Sequence, residues 1–211
     1  MRSDSLPSGR HGLGSEYVLG HQRARLLEAT AHVCATRGYV AMTVADIVGA
    51  AGVSRRVFYS QFANKEDCVL GCAEQLLDEL GTRVEIAFKT PKAPWPERVA
   101  AALSELLDAL AANPEMTQVL FVELRSATPG VLVCRDHALA ECRRVLAAPR
   151  TGLPPELDEA VVGGAVEVIY RAVVAERIDE LPRLHGELLY GITMPYLGHE
   201  AATELRTRLS A

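Results

Sequence analysis

The chain has 211 residues, 49% of them apolar, and a formal net charge of −5. That length holds one large or two small domains with a buried core. No stretch approaches the ~20 apolar residues of a membrane span, and the opening MRSDSLPSGRHGLGSEY lacks the apolar centre of a secretory leader, so a cytoplasmic protein without a membrane segment is expected.

Net acidity argues against a nucleic-acid partner, but the charge is unevenly spread. Residues 1–65 carry eight basic and four acidic groups, with Arg2, Arg10, Arg23, Arg25, Arg37, Arg55, Arg56 and Lys65 as the cations. Residues 66–211 carry 14 basic and 23 acidic groups. A basic head on an acidic body suits one region that touches phosphate and another that does not.

The five cysteines, Cys34, Cys68, Cys72, Cys134 and Cys142, are odd in number and do not read as a disulfide framework. Cys68 and Cys72 stand one helical turn apart, and Cys134 neighbours His137. Weighed as metal or redox pairs, they read better as small apolar residues, so no metal and no cofactor is expected.

Residues 1–19 are rich in Gly and Ser and read as a flexible basic arm. Helical periodicity begins at His21 and places Leu26, Leu27, Thr30, Val33 and Cys34 on one face, with Gly38 as the stop. Thr43 caps a second helix that ends at Ala51-Gly52, and Asp46 three residues on completes a capping box. Ser54 caps a third helix through Phe62, and Asn64 a fourth from Lys65 to about Lys89. The proline-rich TPKAPWP breaks the fourth. Further helices are expected over Glu97–Ala112, Pro114–Ser126, Pro129–Ala147, Glu156–Asp179 and Leu184–Arg208, the last kinked at Pro195. With about nine helices, no convincing strand and no repeat, the expected fold class is all-α: a three-helix helix-turn-helix domain (20–66) followed by a larger helical domain (67–211).

The stretch TVADIVGAAGVSRRVFYSQFANKED carries the function. Val44, Ile47 and Val48 form the apolar side of the second helix, and Ala50, Ala51 and Gly52 let two helices cross closely. Phe58 and Phe62, one turn apart, turn the third helix's back to the core. Its front then holds Arg56 and Ser60, flanked by Val57 and Tyr59, with Arg55 at the exposed start. An arginine can donate twice to guanine and an apolar side chain can meet a thymine methyl, so Arg55, Arg56, Val57 and Ser60 are the expected base-reading residues. Thr43, Ser54, Tyr59 and Lys65 are expected to hold phosphate, helped by free N–H groups at the starts of the second and fourth helices. Arg10 in the arm is a candidate minor-groove contact.

Over about 45 residues, Arg25 to Val69, the sequence resembles the tetracycline-repressor (TetR) family of bacterial regulators. The resemblance rests on Leu26-Leu27-Glu28-Ala29, Arg37-Gly38-Tyr39, Thr43-Val44 with Ile47, Ala51-Gly52-Val53-Ser54, Phe58-Tyr59, Phe62 and Lys65-Glu66. It departs at position 56, often Gly and here Arg, at 57, often Thr or Ala and here Val, and at 48, often Ala and here Val. The rest of the chain matches only in being helical and of suitable length. The resemblance implies a homodimer on a palindromic double-stranded operator, usually repressing and released by a small-molecule effector, and it implies no enzymatic activity. A helical enzyme whose N-terminal hairpin only supports structure is a remote alternative, but the sequence places no Ser-His-Asp or Cys-His set to serve it.

The family places its effector pocket among the middle helices. Here the expected lining is Trp95, Met116, Leu120, Phe121, Leu124, His137 and Tyr170, with Glu123, Arg125, Glu167 and Arg171 as polar contacts and a largely apolar ligand. The expected dimer interface is Val161, Val162, Gly163, Val166, Ile169, Val173, Leu188, Leu189 and Ile192. Leu184 extends this set, and Gly163 and Gly164 allow close helix approach. An alternative is a ligand-independent regulator or activator with a filled core.

Overall fold

In the computed structural model the described residues are 15–89, 92–126, 129–146, 153–154 and 156–209. Arg10 lies outside them. The first helix, α1 (Ser15–Arg37), begins six residues before the expected His21, so residues 15–19 of the expected arm are helical. It is followed by α2 (Val44–Ala51), α3 (Arg55–Gln61) and α4 (Lys65–Phe88). Leu26, Leu27, Thr30, Val33 and Cys34 are all buried, as the periodicity of α1 predicts.

The caps form as the sequence predicts. Thr43 Oγ1 accepts the Asp46 N–H at 3.3 Å, and Asp46 Oδ2 accepts the Thr43 N–H at 2.9 Å, closing the capping box. Ser54 Oγ accepts the Val57 N–H at 3.3 Å, and Asn64 Oδ1 accepts the Asp67 N–H at 2.8 Å. α2 ends on Gly52, whose φ of 61° lies in the left-handed region. The Gly52 N–H donates to the Gly49 carbonyl and the Val53 N–H to the Val48 carbonyl, which closes a Schellman turn and sends the chain straight into α3.

The body continues with α5 (Trp95–Ala112), α6 (Pro114–Phe121), a 3-10 turn (Glu123–Ser126), α7 (Pro129–Leu146) and α8 (Glu156–Val174). A second 3-10 turn (Ile178–Leu184), α9 (His185–Leu197) and α10 (His199–Leu209) complete it. Ten α-helices therefore replace the expected nine among the described residues. The extra one arises at the C-terminal end. The expected bend at Pro195 is instead a break at Gly198, where φ is 83°. Across it Tyr190 reaches His199 at 3.0 Å, and the Arg206 guanidinium lies 5.5 Å from the Tyr190 ring. Residues 190 and 206 would be ~24 Å apart in one straight helix, so α10 folds back along α9. Pro195 lies inside α9, where it lacks the N–H that would bond the carbonyl four residues back, yet the helix runs through it to Leu197.

Two apolar clusters hold the molecule together. One joins Leu26, Val33, Ile47, Phe58 and Phe62 to Cys68, Val69 and Cys72 of α4, and also to Val119, Leu120, Leu124 and Val131. The expected division between residues 66 and 67 falls inside this cluster. The other gathers Leu103, Leu107, Leu110, Ile169, Val173, Leu188, Leu189 and Ile192. Leu80, Met116 and Phe121 pack against both. α4 and α6 thus belong to head and body alike.

Candidate nucleic-acid interface

α3 is a seven-residue helix with a sharply divided surface. Phe58 is fully buried and Phe62 3% exposed, and both rings pack inward. Arg55, Arg56, Tyr59 and Ser60 are exposed on the other side. Neither arginine forms an ion pair among the described residues. Their donors therefore remain available to a partner.

Val57 lies differently from expectation. It is half-buried against the head cluster and shows only an edge to solvent. Tyr59 takes the outer place, 57% exposed, with its ring held edge-on to Phe58 at 5.3 Å between centroids. At 100° per residue Tyr59 and Ser60 stand beside Arg56, on its own side of the helix. The Ser60 hydroxyl donates to the Val57 carbonyl at 2.7 Å. In this rotamer it can only accept, which suits a base amino group and not a phosphate.

The expected phosphate anchors separate into two kinds. The Ser54 hydroxyl accepts at the cap and keeps its own proton to donate. Thr43 does not keep a donor: its N–H and its hydroxyl both point at Asp46 Oδ2, at 2.9 and 2.7 Å. The carboxylate that completes the cap consumes both donors, so Thr43 offers none to a phosphate here. Arg37 balances that charge at 2.8 Å from Asp46 Oδ1. Hydrogen bonds from the Thr43 hydroxyl and amide, then the Arg37 charge, hold the Asp46 carboxyl below the usual aspartate range. The Lys65 ammonium spends two of its three donors on the Tyr39 and Met42 carbonyls, at 3.1 and 3.2 Å, and lies 4.7 Å from the Tyr39 ring. It braces the α1–α2 loop and keeps one proton for a phosphate.

Two arginines of α1 escaped the sequence reading except as charge. The Arg25 guanidinium reaches the Gly52 carbonyl at 3.5 Å, beside the start of α3. The Arg23 guanidinium lies 4.4 Å from the Phe62 ring, at the end of α3. Neither forms an ion pair among the described residues. The positive charge bracketing α3 thus comes from α1, about 30 residues away, and no local pattern announces it.

The body departs further from expectation. Of the expected dimer residues, Val162, Ile169, Val173, Leu188, Leu189 and Ile192 are buried inside the protomer, and Val161 and Val166 pack half-buried against the same cluster. Periodicity marks an apolar face but not the surface that covers it. Gly163 alone of that set is exposed. The expected pocket residues are divided between the two clusters and the surface. Leu120 and Leu124 belong to the head cluster, while Met116 and Phe121 pack between the two clusters. Trp95 meets Tyr196 edge-on at 5.4 Å, and His137 is exposed. Tyr170 lies under Arg125 at 3.9 Å, and Glu167 pairs with Arg171 at the surface at 3.4 Å. Two hollows of ≈ 390 and ≈ 340 Å³ open elsewhere, one between α1 and α2 and the other between α5 and the 3-10 turn Ile178–Leu184.

Cys34, Cys68 and Cys72 are buried in the head cluster, where loss of solvent drives their thiols up to about 12, 11 and 12. They behave as apolar side chains, with the Cys68 sulfur 3.1 Å from the Thr30 hydroxyl. No helix of the described residues is long and apolar enough to cross a membrane.

Residues 26–72 match the family model for bacterial regulatory proteins of the tetR family. Among curated proteins, the transcriptional activator FasR of Mycolicibacterium smegmatis is 28% identical over 57% of this chain and 54% of its own length. The transcriptional regulator BetI of Brucella abortus is 34% identical over 39% of this chain and 41% of its own. The chain thus spans about half, or less, of the length of these relatives. Among solved structures, the Bacillus subtilis regulator FadR, crystallised with stearoyl-CoA, superposes with a TM-score of 0.72 at 22% identity over 83% of this chain and 98% of that one. SmeT, repressor of a Stenotrophomonas maltophilia multidrug efflux pump, gives 0.69 at 20% identity over 82% and 89%. Both show the same all-helical fold. The capped helix-turn-helix of residues 26–72 is that of the tetR family of bacterial regulatory proteins, and the fold of the whole agrees with it.

Proposed function

We infer that the chain is a homodimeric transcriptional regulator whose α3 enters the major groove of a palindromic operator, and that it represses until a small, largely apolar effector releases it. The observation that carries this reading is the outer face of α3. Among the described residues Arg55 and Arg56 stand exposed without acidic partners, on a helix whose back is locked by Phe58. In a chain of net charge −5, two adjacent unpaired cations on a capped helix are what an acidic duplex would require. The base-reading set is then Arg55, Arg56, Tyr59 and Ser60, with Val57 presenting an edge. Ser54, Lys65, Arg23 and Arg25 contact phosphate.

The dimer face moves to the side of α8 and α9 that the protomer leaves open. It comprises Ala160, Gly164 and Val168 of α8 with Gly191 and Met194 of α9, where a Cβ at either glycine meets nothing within 4 Å. One short helix reads too few base pairs alone, so two copies are needed. The effector enters where Met116 and Phe121 join the two clusters and favours a conformer in which they part. Reversing nearly full operator occupancy takes ~5.5 kcal/mol of differential affinity.

Selection of bound DNA from a random duplex pool tests the reading. A palindrome is expected, and Arg56→Ala should weaken binding to it by about tenfold or more. Recovery of no consensus, with Arg56→Ala equal to wild type, refutes it. A reporter assay decides the sign of regulation. FasR is named an activator, so activation from the same operator is the second reading. Stearoyl-CoA, the ligand of the FadR crystal, is a first effector probe by thermal shift.

A further inference from the structure

Three consecutive residues of the 3-10 turn Glu123–Ser126 hold three different parts of the molecule. Glu123 Oε2 accepts the Tyr39 N–H at 2.8 Å, in the loop between α1 and α2. Leu124, 3% exposed, is sunk in the head cluster. The Arg125 guanidinium lies 3.9 Å from the centre of the Tyr170 ring on α8.

The loop receives this contact at a point where the backbone needs it. The Gly38 N–H donates to the Cys34 carbonyl and closes α1, leaving the Tyr39 amide just beyond the helix end. A carboxylate 84 residues further along the chain supplies its acceptor. Gly38 makes room: its φ is +79°, and a Cβ there would stand 3.3 Å from Glu123 Oε2. From the other side Lys65 holds the Tyr39 carbonyl at 3.1 Å. Tyr39 is thus pinned between the body and the start of α4, four residues before the cap of α2.

We propose that Glu123, steadied through Arg125 on Tyr170, is a positioning residue that fixes the angle between the head and α8, and so the half-site spacing that the dimer accepts. The contacts run without a gap from α8, which carries the proposed dimer face, to the loop from which α2 and α3 hang. None of them adds charge facing the duplex. The inference rests on the reading of the chain as a DNA-binding dimer.

The test uses the full chain and the operator recovered by selection, together with versions carrying one base pair more or fewer between half-sites. Wild type should discriminate against both altered spacings. Glu123→Ala, and Glu123→Asp with its carboxylate drawn back by one methylene, should lose about tenfold of that discrimination. Glu123→Gln keeps an acceptor oxygen at the same reach and should retain it, and Arg125→Ala should lose part of it. Affinity for a random duplex serves as the control and should stay at the wild-type value, while the thermal midpoint of Glu123→Ala should fall by no more than a few degrees. The proposal is overturned if every variant keeps the wild-type spacing ratio. It is equally overturned if Glu123→Ala weakens all spacings alike with a lowered midpoint, since that marks a merely structural contact. A wild-type chain that recovers no operator sinks the DNA reading and this proposal together. A wild type that binds and discriminates, with indifferent Glu123 variants, sinks this proposal alone.

Discussion

Head and body are built from the same kind of helix, yet their helices begin differently. α2, α3 and α4 each open on a polar side chain that accepts an amide of the first turn: Thr43, Ser54 and Asn64. α5 and α6 open on prolines without a side-chain cap, and α9 follows a 3-10 turn with none. α2, α3 and α4 state locally where they start. The body leaves its own starts to burial, through residues such as Leu107, Leu110 and Leu189 with no exposed surface. A head that must present α3 at a fixed angle gains from such local definition. On the proposed reading, a body that yields to an effector gains from its absence.

The strongest way to break this contrast is to remove a core residue from each side. Phe58→Ala should destabilise the chain by about 3–5 kcal/mol, and Leu189→Ala by about 2–5. Because Leu80, Met116 and Phe121 belong to both clusters, each variant should lower one shared unfolding transition in urea. Two separate transitions would mean that the clusters fold independently.

Gly52→Ala comes next. It places a side chain at φ 61°, with its Cβ 2.8 Å from the Arg25 guanidinium, whose flexible tip can swing away. Backbone strain then dominates, at about 1–2 kcal/mol. Thermal denaturation reads the cost, and DNA affinity should fall with it, because this turn sets the angle between α2 and α3.

Removing one cap sharpens the comparison further. Asn64→Ala should cost about 1 kcal/mol by freeing the Asp67 amide. No side-chain cap exists to remove at Leu184, so Leu184→Ala should cost only what its half-buried packing is worth.

The smallest effect is electrostatic. Asp46 ionises more readily in the folded chain than in the unfolded one. Its charge therefore stabilises the fold at pH values above the ordinary aspartate range, and that contribution fades as pH falls through the depressed folded value. The margin of wild type over Asp46→Asn in denaturant titrations should be full near neutrality and shrink on acidification. A margin that does not vary with pH would show that the Thr43–Asp46 bonds, not the charge, matter.

How much was legible follows the same division. Caps and turn residues act within four positions, so Thr43, Gly52, Ser54 and Asn64 could be located from their neighbours alone, and Phe58 with Phe62 set the back of α3. The reversal at Gly198 was missed because Pro195 is the louder signal, although α9 runs through it to Leu197. Most of the expected dimer residues lie in the protomer's own core, which periodicity could not reveal, because an apolar stripe looks the same whether its own protomer or a second one covers it.

The sequence by itself determined the head: its basic charge, its three capped helices and the outward place of Arg55 and Arg56. These follow from hydrogen bonds and periodicities that close within one or two turns. Only the tertiary structure decided which groups remain free. Thr43 has no donor left because Asp46 takes both, and Lys65 is largely spent on the loop carbonyls. Glu123 holds the Tyr39 amide from 84 residues away. A side chain's chemistry is written in its residue type, but its availability depends on partners that the fold brings from elsewhere in the chain.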